Sequence, residues 1–338
     1  RDPEAGERVF RPGGARPPTE MMYALIEKNR HTHGIEPMCK VLQIAPSGYR
    51  AYAAKRANPT LCCARAKRDA LLSEQIDRIW QVNFKVYGAD KVWHQLKREG
   101  ASDGLPVARC TVERLMRELG LRGVRRGKSV RTTHSNPALP CPLDHVNRQF
   151  KAPRPNALWV SDFTYVSTWQ GMVYVAFVID VYARVIVGWR VSRSMQTDFV
   201  LDALEQALYA RLGGQRTPNN ADANAHALIH HSDRGSQYLS IRYTERLKDA
   251  GIEPSVGSTG DSYDNAMAET INGLYKAEVI HRRSSWQTVE AVELATLTWV
   301  AWFNNHRLLE PIGYIPPAEA EANYYRALKT STLESQLT

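Results

Sequence analysis

Three acidic side chains stand out for the residues that frame them. Asp162 lies in Leu-Trp-Val-Ser-Asp-Phe-Thr-Tyr (158–165) and Asp233 in His-His-Ser-Asp-Arg-Gly-Ser-Gln-Tyr (230–238). Glu269 closes Tyr-Asp-Asn-Ala-Met-Ala-Glu (263–269), with Lys276 further along the same segment. Between Asp233 and Glu269, 35 residues intervene. An aspartate within a strand, a second just after a strand and a glutamate on a helix could together hold two Mg²⁺ ions. Such a pair drives in-line attack on a phosphodiester. Crowded carboxylates repel one another until divalent cations offset their charge. Mg²⁺ favours such oxygen ligands while retaining some of its waters.

Each acid also has an ordinary explanation. Asp162 shares a strand face with Val160 and Thr164, because side chains alternate along a strand. A carboxylate among apolar neighbours is costly unless it is paired or binds metal, yet a hydrogen-bonded aspartate at a strand end would also fit. Asp233 precedes Arg234-Gly235 and could simply cap the following helix or make a turn. On the third segment Asn265, Glu269, Asn272 and Lys276 fall on one helical stripe. Solvation alone would explain such a stripe; an amide, a carboxylate, an amide and a base in line also suit metal ligation and contact with a DNA end.

The elements that must position these groups follow from periodicity. Runs at Trp159–Val166, Met172–Asp180 and Arg184–Val191 read as three consecutive strands with turns at 168–171 and 181–183. An amphipathic helix over Asp198–Leu212, a short strand at Ala227–His231, a helix at Leu239–Ala250 and a strand at Glu253–Val256 come next. Helices at 262–280 and 286–306 complete the pattern. Three antiparallel strands, then alternating helix and strand, predict an RNase H-like α/β core with a mixed five-stranded sheet flanked by helices. Asp180 ends a strand of the same sheet and is a fourth acid, expected to be structural.

Upstream the pattern is all-α. Ile35–Ala54 has a helix-turn-helix rhythm, broken at Ile44-Ala45-Pro46-Ser47, although an αα-hairpin that binds nothing would look the same. Leu71–Phe84, Lys91–Arg98 and Val107–Leu119 read as a trihelical module. Arg109, Arg114 and Arg117 lie off the apolar face of its third helix, followed by Arg122, Arg125, Arg126, Lys128 and Arg131. That basic run suits a DNA backbone or groove; a solvated face is the plainer alternative. The expected organisation is a flexible leader (1–34) with Met21-Met22 as a natural start, a helix-turn-helix-like segment (35–69), the trihelical DNA-binding module with its basic tail (70–131), a Pro-rich linker (132–157), the catalytic core (158–325) and a C-terminal tail (326–338).

Charge supports the division. The first 157 residues carry 29 Lys+Arg against 15 Asp+Glu, the remainder 15 against 20. The polyanion-binding half is therefore the first one. The longest apolar run, Met172–Ile179, is strand-sized, so no membrane partner is expected and the chain reads as cytoplasmic. The five cysteines contain no Cys-x-x-Cys pair, which fits reduced structural thiols better than a zinc module.

In all three acidic motifs, their order and spacing, and in the Trp302-Phe303-Asn304-Asn305-His306-Arg307 and Pro316-Pro317-Ala318-Glu319 segments, the chain resembles transposases of the IS3 family of bacterial insertion sequences. Their catalytic core is the DDE, retroviral-integrase-like domain. The resemblance runs from about Ile35 to Tyr325. It implies a nucleoid-associated DNA transposase that cuts insertion-sequence ends and joins them, using water and then a DNA 3′-hydroxyl as nucleophile. Asp162 would bridge two Mg²⁺ ions, with Asp233 and Glu269 completing one site each; Mn²⁺ is expected to substitute. Lys276 matches the family's DNA-contacting lysine, and His230, His231, Asp264 and Asn265 become candidates for supporting the acids or touching DNA. The implied partners are the terminal inverted repeats, target DNA, further copies of this chain and the product of an upstream reading frame. The alternative is a catalytically silent DNA-binding regulator derived from a transposase.

Overall fold

The computed structural model describes residues 17–101, 104–125, 151–212, 228–232, 238, 241–256 and 266–337. The chain divides into two compact units, residues 1–74 and 75–338.

The first unit contains α1 (Thr19–His33), α2 (Ile35–Val41), α3 (Pro46–Ala57) and the start of α4 (Ala64–Val82). Residues 19–33, expected as leader, are helical instead. Met22 and Ile26, one helical turn apart, are buried against Cys39, Leu42 and Tyr49, and that shared core holds the helix in place. Pro46 opens α3 at its first position, where a missing N–H costs nothing.

The second unit begins within α4 and continues with α5 (Ala89–Glu99) and α6 (Arg109–Glu118). Val92, Leu96, Val112, Leu115 and Met116 are buried, so the apolar stripes read from the sequence are the packed ones. These helices rest directly on the core of the same unit. The Tyr87 hydroxyl, fully buried, donates to the His306 carbonyl (3.1 Å) and accepts from the Leu308 N–H (2.8 Å). Trp302 Nε1 donates to Asn83 Oδ1 at 3.1 Å, and His94 stacks on Tyr314 at 3.5 Å between centroids. Burial beside Arg307 pushes the Lys91 ammonium down to about 8.

The core is a five-stranded sheet of β1 (Leu158–Thr168), β2 (Gly171–Asp180), β3 (Ile186–Ser192), β4 (Ile229–Ser232) and β5 (Glu253–Val256), in the order β3-β2-β1-β4-β5. β2 is antiparallel to both β1 and β3, whereas β1, β4 and β5 run parallel. The mixed sheet and its order match the RNase H-like expectation. At the β1–β2 turn Gly171 takes φ +108°, a conformation closed to most side chains.

One face of the sheet packs on α7 (Thr197–Leu212) and α8 (Ile241–Asp249), through Trp159, Ala176 and Val178 against Phe199, Leu204 and Leu247. A methyl group on Gly188 would stand 2.1 Å from the Ala203 carbonyl oxygen, so only glycine lets α7 lie this close to β3. The other face carries α9 (Ala266–Glu278) and α10 (Val289–Asn305), where Phe177, Tyr275 and Trp299 meet at 5.2–5.9 Å between ring centroids. The Thr288 side chain caps α10 by accepting from the Ala291 N–H, which starts that helix three residues later than periodicity suggested. α11 (Pro317–Leu337) continues through residues expected as a tail. Its opening Pro-Ala-Glu-Ala-Glu-Ala is rich in strong helix formers, with proline in the first turn.

Candidate active site

Among the described residues β4 pairs with β1 from Leu158 to Ser161, which is level with Ser232. Asp162 is the next residue of β1, half-buried, paired with Phe177 on the β2 side. Its carboxylate is held from two directions. Oδ1 accepts from the Phe163 N–H at 2.8 Å, and Oδ2 accepts from Asn272 Nδ2 at 2.8 Å. Asn272 is buried, with its own Oδ1 lacking a hydrogen-bond partner among the described residues.

Asn272 belongs to α9, the helix that bears Glu269 one turn earlier and Lys276 one turn later. Glu269 is exposed. The Lys276 ammonium lies 4.6 Å from the centre of the Tyr165 ring. Burial lowers its proton affinity, and the Asp162 carboxylate works against that shift. Thus Asp162, Asn272 and Lys276 are brought together, with Glu269 on the same stripe of α9. Asp233, Asp264 and Asn265 lie outside the described residues.

Among the described residues no three His, Cys, Asp or Glu side chains are placed to hold a metal ion. Asp162 and Glu269 do offer hard oxygen donors. The unpartnered Asn272 oxygen beside Asp162 is a further buried acceptor, available to a metal-bound water or a DNA group. This donor chemistry suits Mg²⁺.

His230 and His231 are sealed inside β4. His230 Nε2 is 2.7 Å from Ser161 Oγ and 3.1 Å from the Tyr243 hydroxyl, and His231 Nδ1 is 2.9 Å from Ser255 Oγ. Neither reaches solvent; both tie β4 to its neighbours. Burial pushes His230 from the ordinary 6.5 down to about 3. It therefore stays neutral in the folded protein while the unfolded chain takes up a proton below pH 6.5, so stability falls with pH between those two values. His230→Gln is expected to flatten this fall. Urea unfolding of both proteins at pH 7 and pH 5 tests it, and equal pH slopes would refute it.

Asp180 is buried and used structurally, accepting from the Asn156 N–H (2.6 Å) and the Tyr182 N–H (2.9 Å). On α6, Arg109 pairs with Asp90 and Glu113, and Arg114 with Glu118. Arg117, Arg122 and Arg125 are exposed; Arg126 and Lys128 lie outside the described residues. Periodicity did not single out Tyr165, whose alternation puts it on the sheet face opposite Asp162. An aromatic ring left 59% exposed in a strand is the signal that marks it, and only the folded chain shows that exposure.

The sequence matches the Integrase core domain model over residues 152–262, a second Integrase core domain model over 250–317, and the HTH-like domain model over 66–129. It is similar to the transposase for insertion sequence element IS629 of Shigella sonnei, with 58% identity covering 92% of this chain and 99% of that protein. It also resembles the transposase for insertion sequence element IS3411 of Escherichia coli, at 57% identity over 56% of this chain and 77% of the relative. Transposase InsF for insertion sequence IS3A of Escherichia coli is 32% identical over 77% of this chain and 84% of its own length.

Proposed function

The chain belongs to the IS3 family of insertion-sequence transposases, and from that premise we propose that Asp162, Asp233 and Glu269 are the acids through which it cuts and joins DNA. It is a DNA transposase and a DDE-type polynucleotidyl transferase, with an integrase core and an HTH-like domain.

The observation that carries the residue assignment is the bond from Asn272 to Asp162. It ties the helix bearing Glu269 to the strand bearing Asp162, one residue beyond Ser161, which pairs with Ser232 of β4. In the sequence Asp233 directly follows Ser232, the last described residue of β4, which is level with Ser161 next to Asp162. Three acids converging there would form a centre for two Mg²⁺ ions. When bound, those ions supply activation of the attacking oxygen and charge for the leaving one.

The remaining work falls to the protein's own side chains. The Phe163 N–H and Asn272 fix the rotamer of Asp162, so its negative charge is already oriented before DNA arrives. Lys276 presents a cation to the DNA end. Arg117, Arg122 and Arg125 offer exposed charge to the phosphate backbone. The DNA partners are insertion-sequence ends and target DNA, with further copies of this chain and the upstream-frame product assembling on them in the bacterial cytoplasm.

Strand joining with labelled insertion-sequence ends in Mg²⁺ tests the assignment. The expected result is a joined product that disappears with a chelator and in Glu269→Gln, with and without the upstream-frame product. Ends that are bound but never nicked or joined by the unmodified protein, even with that product present, would make this chain a binding module.

A further inference from the structure

We propose that Tyr165 is a positioning residue, which holds the Lys276 ammonium over its ring so that the lysine faces the DNA end instead of collapsing onto Asp162. This deepens the reading of the site given above and rests on it.

β1 and α9 each supply one partner of the contact. Tyr165 stands on the sheet face opposite Asp162 and is 59% exposed, unusual for an aromatic ring in the central strand of a sheet. Lys276 comes from α9 on the Asp162 face, and its Nζ still reaches to 4.6 Å from the Tyr165 ring centre. The lysine thus has the ring at its tip and the Asp162 carboxylate as its neighbouring opposite charge.

A lysine on a flexible four-carbon stem has a strong electrostatic reason to seek a nearby carboxylate. If it paired with Asp162 it would occupy oxygens that a metal ion needs, and no cation would be left for phosphate. The aromatic face offers a competing seat. Attraction of an ammonium to a ring comes from the ring quadrupole and not from the hydroxyl, so the benzene ring is the part of Tyr165 that matters. The outer surface of this platform faces solvent, where a nucleic-acid backbone can approach.

The test is a coupling measurement on the full chain, with duplex DNA carrying the element's inverted-repeat end and two readouts, end affinity and joining rate. Tyr165→Phe keeps the ring and is expected to stay within about twofold of the unmodified protein, whereas Tyr165→Leu loses about threefold to tenfold in end affinity. In a Lys276→Ala background, Tyr165→Leu should add nothing, because the two side chains act through one contact. Thermal melting of each variant separates this from misfolding. Equal losses for the Phe and Leu variants would overturn the proposal, as would additive losses in the double variant. No loss from Lys276→Ala would overturn it too, and if Glu269→Gln still abolished joining, the assignment of the acids would stand without it. Joining that survives in Glu269→Gln would instead count against the acids themselves, whatever the coupling shows.

Discussion

Asp162→Asn is expected to reduce strand joining by at least about a thousandfold while leaving the fold and DNA-end affinity in place. The substitution is nearly isosteric. The asparagine oxygen can still accept from Asn272 Nδ2, which donates to Asp162 Oδ2 in the unmodified protein, while the bond from the Phe163 N–H is given up. Packing of β1 is also untouched, because that face is buried through Leu158, Val160, Thr164, Val166 and Thr168. What disappears is a full negative charge beside Asn272, and a neutral amide oxygen is a poor ligand for a divalent ion. Loss of rate at constant melting temperature and constant end affinity is therefore the signature. A variant joining ends within tenfold of the unmodified protein would remove Asp162 from the chemistry.

The second large effect concerns the anchor of the helix that carries the site. Arg307 and Glu278 have side chains only 4% and 3% exposed. Arg307 Nε lies 3.1 Å from each Glu278 oxygen, and Nη2 donates to Oε1 as well. Trp299 Nε1 donates to Oε2 at 3.0 Å, and the guanidinium lies 5.5 Å from the Phe303 ring centre. Arg307→Met is expected to cost about 3–5 kcal/mol, because it strands a carboxylate in an apolar interior. Combining it with Glu278→Met should recover most of that loss, since an apolar pair of similar volume is close to neutral. Urea unfolding of the two variants measures both values. A single variant within about 1 kcal/mol of the parent would mean that the pair is solvated and weak.

The same anchor bears on activity. Glu278 is the last residue of α9, the helix that also carries Glu269, Asn272 and Lys276. The chain just beyond Arg307 is gripped by Tyr87, whose hydroxyl accepts from the Leu308 N–H. One buried ion pair thus joins the end of α9 to the segment that Tyr87 grips. A shift there would move Asn272 relative to Asp162, and misplacing a catalytic group by about 1 Å can cost on the order of a hundredfold in rate.

Much of the core was legible because its signals are local. Alternation in residues 158–191 marked the hairpin strands, and a 3.6-residue period marked α5, α6 and α7. Differences arose where tertiary contacts override those patterns. Residues 19–33 are helical because Met22 and Ile26 have a core to enter, and that core comes from later sequence. The third strand begins at Ile186, not Arg184, because Asp180 accepts from the Tyr182 N–H and turns the chain first.

By itself the sequence determined the family, the order of the elements and the three acids in their frames, since residue types and spacing carry that information directly. Tertiary structure alone decided how those groups are supported. Asn272 looked like a DNA contact on a polar stripe, yet it is buried with its amide on Asp162. His230 and His231 looked like neighbours of the chemistry and are sealed inside the sheet. Tyr165 belonged by alternation to the wrong face, and the pairing of Glu278 with Arg307 crosses a whole helix. The reason is physical: burial, hydrogen-bond partners and ring contacts depend on which distant segments pack together, and no local period encodes that.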